Sequence, residues 1–559
     1  MLLSGPDPGF AAAGSHHDAQ TCGAARCGPG SSDELESGRF LDLKVRAEMD
    51  DEGNQSTGEL PAVRESRRSR RRSGKRPRSW RRRLVIGLVS LVVFLGLVVG
   101  SGVAYIAYRN HQIKKINVNN LVAPATSGPN VGVQTFLLIG STSRCALAKQ
   151  NPAFGTCAGG ITGVNSDVII LLRADQHTHS ISILSIPRDL VLYNVRPGDQ
   201  FYKIDAALYD GPGQLVNVIE QDFGIPINHF AELNFDTFQN IVNALGGINM
   251  YFPFAETDSY SSLNIKTPGC HHLNGFEALA VVRARHLSYL DHGTWLYDGS
   301  GDLGRIIRVH EFLRVLASAL QKQGLSNPIT DNAIIGAIAP QLTVDSKLSV
   351  TDMVNLVLAF HSVNPLTSPQ ATMPNIEDHA NYMFQGYNFG SVVLPSYPAD
   401  QKAVDSFEGL KSPPGANISP SSVSVSVENG TYTPGDETTV ADHLASLGFK
   451  IVGTGTTTPV GPVSEALVYY KKGHILQAER LVQSLQGIVS MAVGPTQNGA
   501  DVTLITGSNF SVKLPRTAAK KPPISTPTTV APAYPILGPV SSAIQSLPFY
   551  DPRACPATK

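Results

Sequence analysis

An α/β fold is predicted for the folded part of this chain, from three observations in its sequence. Short apolar runs, too brief for helices, recur at residues 135–140, 167–172 and 181–186. Helix-like segments fall between and after them. A second, smaller strand–helix–strand pattern lies beyond residue 418. Strands alternating with helices favour a sheet covered on its faces over packed sheets or a bundle.

Taken in order, residues 1–83 are rich in Gly, Ser, Arg and acidic side chains without apolar periodicity, and read as a disordered cytoplasmic segment. Residues 84–108 give 25 positions without a charge. At about 1.5 Å rise per residue such a helix exceeds the ~30 Å hydrocarbon core. Twelve Lys or Arg between positions 64 and 83 precede it, among them Arg81, Arg82 and Arg83. The positive-inside rule keeps that block in the cytoplasm and sends the rest across. The span is too long, and too far from Met1, for a cleaved signal peptide. The prediction is a single-pass cell-membrane protein with its N-terminus inside and its folded domains outside.

A stalk (109–133) leads to a first α/β domain at 134–365. Its helix-like stretches lie at 213–222, 235–245, 275–285 and 303–321, with another starting at the capping pattern Ser349-Val350-Thr351-Asp352. Residues 366–418, rich in Pro, Ser and Asn, read as a linker. A smaller α/β unit occupies 419–514, opening on the alternating Val423-Ser424-Val425-Ser426-Val427. The Pro- and Thr-rich remainder, 515–559, reads as a disordered tail.

The overall charge balance of zero hides a segregation. Residues 1–108 hold 16 of the 45 Lys+Arg and 12 of the 45 Asp+Glu, so the remainder carries 29 basic against 33 acidic side chains. A nucleic-acid-binding domain would be basic, and this one is not. Cys22 and Cys27 fall on the reducing side and read as free thiols. Cys145, Cys157, Cys270 and Cys555 fall on the oxidising side, where three pairings are open. A local Cys145–Cys157 bridge is favoured, and the absence of CxxC spacing argues against a metal site.

No GxxxxGK[ST] loop, HExxH helix or GxSxG elbow is present. What stands out is arginine beside apolar strand ends: Arg188 in Ser185-Ile186-Pro187-Arg188-Asp189, Arg283 and Arg285 after a helix, and Arg305 with Arg308 in Asp302-Leu303-Gly304-Arg305-Ile306-Ile307-Arg308. Residues three apart are neighbours on a helix. Converging guanidinium groups bind phosphate oxygens bidentately. Any one of these arginines alone reads as a surface residue in a weak ion pair; the set points to a diphosphate.

These segments, with LLIGSTSR (137–144), NSDVIILL (165–172), KIDAA (203–207), FAELNFDTFQNIVNALGGI (230–248) and LNGFEALAVVRARH (273–286), make residues 134–318 resemble the LytR-CpsA-Psr family. The 420–513 unit resembles the LytR C-terminal domain that often accompanies it. The resemblance implies an α/β/α sandwich with an apolar lipid pocket. It implies a phosphotransferase that moves a glycopolymer from a polyprenyl-pyrophosphate carrier onto peptidoglycan, leaving a phosphodiester. Carried over by motif position, Arg188, Arg283, Arg285, Arg305 and Arg308 grip the pyrophosphate, with Arg144 and Lys203 joining the substrate site. Asp302 orients arginines or supports the metal, and Asp167 holds a Mg²⁺. The family usually has a second metal-binding aspartate where this chain has Thr142, which implies a weakened metal site. That departure supplies an alternative: a binding scaffold for a polyprenyl-phosphate glycan that does not transfer it.

Overall fold

The structure is a computed structural model. It describes residues 110–141, 164–322, 342–378, 387–431, 433–457, 465–515 and 547–556, with a few isolated positions between them. The segments read above as cytoplasmic extension and membrane span, 1–83 and 84–108, fall outside the described residues apart from three positions. Among the described residues no helix is long and apolar enough to cross a membrane.

The first body begins with β1 (Lys114–Ile116), β2 (Val133–Ser141), β3 (Ser166–Asp175), β4 (Ser180–Ile186), β5 (Val191–Arg196) and β6 (Asp199–Lys203). Then come α1 (Pro212–Phe223), β7 (His229–Leu233), α2 (Phe235–Ala244), β8 (Ile248–Phe252), β9 (Ala255–Asp258), β10 (Leu263–Ile265), β11 (Gly269–Leu273) and α3 (Gly275–Arg283). The hairpin β12 (Ser288–Asp291) and β13 (Thr294–Tyr297) precedes the long α4 (Gly301–Lys322). Next are β14 (Thr343–Asp345), α5 (Val350–Phe360), β15 (Gln370–Thr372), β16 (Asn375–Asp378), β17 (Met383–Phe384), β18 (Tyr387–Asn388), β19 (Val392–Pro395) and α6 (Ala399–Glu408).

Seven strands form the central sheet in the order β1-β14-β7-β2-β3-β4-β15, with parallel and antiparallel neighbours mixed. Alternation along the strands sends side chains to opposite faces. Leu137, Ile139, Ile169, Leu171, Leu184 and Ile186 face one side, against Leu215, Val218 and Ile219 of α1 and Phe407 of α6. Ile170 and Ile183 face the other, against Val242 of α2, Leu279 of α3 and Phe312 of α4. Phe136 and Ala174 meet Phe360 of α5 on that second side. Both faces are therefore covered, and the body is an α/β/α sandwich. Each fully buried Leu or Ile contributes roughly 1.5–3 kcal/mol. Caps set the helix starts: Asn274 and Glu277 close a capping box on α3, and Ser349 with Asp352 closes one on α5, as the sequence pattern predicts.

The second body contains β20 (Ser424–Asn429), α7 (Asp436–Ser446), β21 (Lys450–Thr456), β22 (Ala466–Tyr470), α8 (Ile475–Val482), β23 (Leu485–Gly487), β24 (Val489–Val493), β25 (Val502–Ile505) and β26 (Phe510–Val512). Its five-stranded sheet runs β21-β20-β25-β22-β24. It docks on the first body through Asp222 at the end of α1, which accepts from the Met491 amide at 2.8 Å, and through Tyr470 Oη donating to the Gln221 carbonyl at 2.9 Å.

Two sequence expectations are corrected. Residues 366–418 are not a plain linker: β15 pairs with β4 and extends the central sheet, and α6 buries Ala403, Val404 and Phe407 on it. The strands there are two to four residues long, too short to show alternation in a Pro-rich stretch. Nor is 515–559 wholly a disordered tail. Residues 547–556 return to the first body, where β27 (Arg553–Ala554) pairs with β8 and a Cys270–Cys555 disulfide fastens it. Of the three connectivities left open, this bridge belongs to the one favoured from sequence. Cys157 is also disulfide-bonded, and position 145 lies outside the described residues.

Candidate active site

The ends of β3 and β4 and the first turn of α4 meet at one edge of the sheet, and each brings charge. Asp167 enters β3, Arg188 and Asp189 follow β4, and Lys203 closes β6. Arg285 follows α3, while Asp302 and Arg305 open α4. Arg188 pairs with Asp167 and reaches Asp189 at 3.4 Å and Asp302 at 3.7 Å. Arg285 Nε lies 3.0 Å from Asp302 and its Nη2 3.6 Å from Asp189. Arg305 Nη2 lies 3.0 Å from Asp302 and also donates to the Asp167 carbonyl. Lys203 Nζ donates to Asp189 at 2.9 Å and to the Ser391 carbonyl at 2.7 Å. Four cations, far apart in sequence, share one small volume.

Their electrostatics follow from partial burial. Desolvation alone would favour neutral Arg188, but Asp167, Asp189 and Asp302 outweigh it and raise its pKa above the ordinary value. Burial raises Asp189, and the charges of Arg188 and Lys203 overcome that and hold it low. Arg285 goes the other way. Burial, together with neighbouring Arg188 and Arg305, lowers it despite Asp302. Arg305 Nε is buried and makes no hydrogen bond among the described residues. Asp205, behind the cluster, is pushed up to about 7 by burial, with Asp189 and Asp167 adding to the effect.

Not every predicted residue joins. Arg308 is fully buried and faces away: its Nη1 binds Asp298 at 3.0 Å and Asp551 at 2.9 Å, and its Nη2 the Ala284 carbonyl at 2.8 Å. One turn separates it from Arg305, yet the rotation is enough to aim it at the returning C-terminal segment. Its expected role in gripping a pyrophosphate is corrected to a structural one. The Arg283 guanidinium lies over the Phe235 ring, 4.9 Å from its centroid. Thr142 and Arg144 lie outside the described residues. Asp189 was passed over in the sequence, although its place beside Arg188 in Ile-Pro-Arg-Asp was the available signal.

Helix α4 connects this cluster to an apolar cavity of about 310 Å³. Leu313, Leu316 and Leu320 of α4 line it, with Ile170 and Ile183 of the sheet and Phe360 of α5. Along β3, Ile170 lies three residues from Asp167, about 10 Å. Along α4, Leu313 lies eight residues from Arg305, about 12 Å. His310 fixes the helix to the sheet between the two regions, its Nε2 2.6 Å from Ser185 Oγ. The charged cluster and the apolar cavity thus share one wall, α4.

A Mg²⁺ has partial support from these side chains. Among the described residues no group of three or more His, Cys, Asp or Glu could hold a metal. Asp167 and Asp205, the second feeling the charge of the first, could supply the one or two carboxylates that suffice when phosphate oxygens complete the shell.

Residues 103–391 match the LytR_cpsA_psr family model, and residues 422–510 match the model described as LytR cell envelope-related transcriptional attenuator. The chain is 30% identical over 284 residues to the probable cell wall biosynthesis protein LcpB of Corynebacterium glutamicum, covering 50% of this chain and 63% of that one. The match thus spans under two thirds of that relative. It is 25% identical over 335 residues to the polyisoprenyl-teichoic acid–peptidoglycan teichoic acid transferase TagT of Bacillus subtilis, covering 57% and 94%. The LytR-Csp2A-Psr enzyme from Actinomyces oris, a solved structure, aligns at 24% identity over 53% of this chain and 96% of that one, with a TM-score of 0.41. With the first model matching more than half of its length, the chain belongs to the LytR-CpsA-Psr family.

Proposed function

We propose that this protein is a membrane-anchored phosphotransferase of the cell envelope. It moves a glycopolymer from a polyprenyl-pyrophosphate carrier to a peptidoglycan hydroxyl and leaves a phosphodiester. The observation that carries this reading is the shared wall of α4, with Asp302 and Arg305 in the cation cluster and Leu313, Leu316 and Leu320 on the apolar cavity. Only an amphiphile with an anionic head uses both. Residues 84–108 supply the anchor that keeps the site at the lipid surface.

The diphosphate binds Arg188, Arg285, Arg305 and Lys203 beside the carboxylates that orient them. Arg188 and Arg285 are held by Asp189 and Asp302 from behind, so their forks stay oriented as the anion enters. The acceptor hydroxyl oxygen forms a bond to the glycan-bearing phosphorus as the bond from that phosphorus to the bridging oxygen breaks, and the hydroxyl proton passes to the departing phosphate. The products are the phosphodiester and a polyprenyl monophosphate. Phosphoryl transfer of this kind depends on in-line positioning and charge neutralisation more than on a strong nucleophile. A Mg²⁺ on Asp167 would add charge neutralisation at the phosphate oxygens.

The test is transfer by the full-length protein in detergent, from a polyprenyl-pyrophosphate oligosaccharide to peptidoglycan fragments. Wild type is expected to form the phosphodiester, and the Arg188→Ala, Arg285→Ala double variant to lose it. Equal turnover by the double variant would remove the reading. Thr142, a hydroxyl at a position where the family usually has a carboxylate, favours the second reading of a carrier-binding scaffold. It requires that the wild type bind the carrier without turnover and that Thr142→Asp introduce metal-dependent transfer.

A further inference from the structure

We infer that the β12–β13 hairpin is the docking ledge for the acceptor, an N-acetylhexosamine glycan strand, with Trp295 and Tyr297 as its contact surface. This rests on the phosphotransferase reading for the identity of the glycan, although the ledge itself is defined by geometry.

The hairpin bridges the two halves of the cation cluster in the chain: Arg285 lies just before it and Asp302 just after. Its root is tied down. Asp258, at the end of β9, accepts from the backbone amides of Arg285 at 2.8 Å and His286 at 2.9 Å. The Asp298 amide donates to the Leu287 carbonyl at 2.8 Å and closes the base. At the tip His292 and Gly293 both have positive φ, which makes a tight two-residue turn between Asp291 and Thr294. The ledge is therefore a rigid extension of the arginine loop.

Its two faces differ. Across the sheet β10-β9-β12-β13, register places Glu256, Tyr289 and Leu296 on one side and Thr257, Ser288 and Tyr297 on the other, with Leu290 and Trp295 joining the second set. On the first side the returning C-terminal segment covers Tyr289, on which Tyr550 stacks at 4.3 Å, while Leu296 at the edge is 39% exposed. The second stays open. Trp295 is 52% and Tyr297 59% exposed, on the edge strand of the sheet. Tyr260, 70% exposed, meets the His286 ring at a tilt, 4.5 Å between centroids, next to Arg285. Indole and phenol rings beside the Ser288 and Thr257 hydroxyls match a pyranose, whose C–H face is apolar and whose rim carries hydroxyls. The tip, Asp291-His292-Gly293-Thr294, is polar and acidic rather than aliphatic or basic, which disfavours insertion into an anionic bilayer.

Direction selects the acceptor. The leaving polyprenyl phosphate departs toward the cavity, along α4 past Leu313. In-line displacement brings the attacking oxygen from the opposite side. That side is the N-terminal end of α4, where the hairpin is rooted.

The chain has two tryptophans, Trp80 and Trp295. In full-length protein carrying Trp80→Phe, all indole emission comes from the ledge. A tetrasaccharide of alternating N-acetylglucosamine and N-acetylmuramic acid is expected to shift that emission saturably. Tyr297→Ala is expected to weaken the titration roughly 3- to 10-fold. In the transfer assay Trp295→Ala should raise the acceptor KM by a similar factor, leave kcat and geranylgeranyl pyrophosphate affinity unchanged, and be rescued in part by Trp295→Phe. No spectral response to the tetrasaccharide would overturn the inference. So would quenching of Trp295 by brominated phosphatidylglycerol nanodiscs without a glycan response, which would make the hairpin a membrane contact. Geranylgeranyl pyrophosphate binding measured on the same sample separates the two claims. Its loss would sink the transferase reading, while the emission alone decides the ledge.

Discussion

Arg305 and Arg308 sit one turn apart on α4 and meet opposite fates. Arg305 joins the open cluster with Asp302, whereas Arg308 is sealed between Asp298 and Asp551. Their variants should therefore separate. Arg285→Ala, in the same cluster as Arg305, is expected to cost about 100-fold or more in transfer with little change in melting temperature. Arg308→Ala strands buried carboxylates and should destabilise by about 3–5 kcal/mol; parallel melts and activity assays check both. His310 gives a pH signature. Burial, with the nearby charge of Arg314, pushes its imidazole down to about 4 from its ordinary 6.5. Between those values the unfolded chain takes up a proton that the folded one refuses. Stability therefore falls as pH drops from about 6.5 to 4, by up to about 3 kcal/mol. Denaturant titrations at pH 7 and 4.5 should show that loss, and His310→Gln should flatten it.

Among the elements, the returning segment at 547–556 ties several parts of the first body together. It supplies Asp551 to Arg308, stacks Tyr550 on Tyr289 and adds β27 to β8. Glu256, wholly buried nearby, is pushed up to about 9 by burial and by Asp551's charge, with Arg308 and Arg553 acting against that rise. Truncation after residue 546 should then lower stability by about 3 kcal/mol or more, through the unpaired arginine and the lost crosslink. Cys555→Ser should produce a smaller loss, since Asp551 remains. The wall formed by α4 makes a separate prediction. Ala317→Phe, which fills the cavity, should weaken binding of a C20 prenyl pyrophosphate at least tenfold and leave a C5 one unchanged, as read by competition binding.

For the whole molecule, the sandwich was legible because the β2, β3 and β4 runs are apolar on both faces and because α2, α3 and α5, which follow them, carry their own caps. The site was legible where a motif residue ends a strand, as Arg188 does, or opens a helix, as Asp302 and Arg305 do. Arg308 was misread because spacing of three says that two side chains are neighbours, while a partner 243 residues away decides where one of them points. The same distance hid the C-terminal segment: ten residues give no periodicity, and their order comes from a disulfide and a buried ion pair. Strands of two to four residues made 366–418 look like a linker for a similar reason.

The account depends on an anionic headgroup and a prenyl chain sharing the wall of α4. The most direct measurement is the affinity of the full-length protein in detergent for geranylgeranyl pyrophosphate, compared with the Arg188→Ala, Arg285→Ala double variant and with geranylgeraniol. Tight binding by wild type, at least 100-fold weaker binding by the double variant and by the alcohol, is the predicted result. Equal affinity across all three would contradict it.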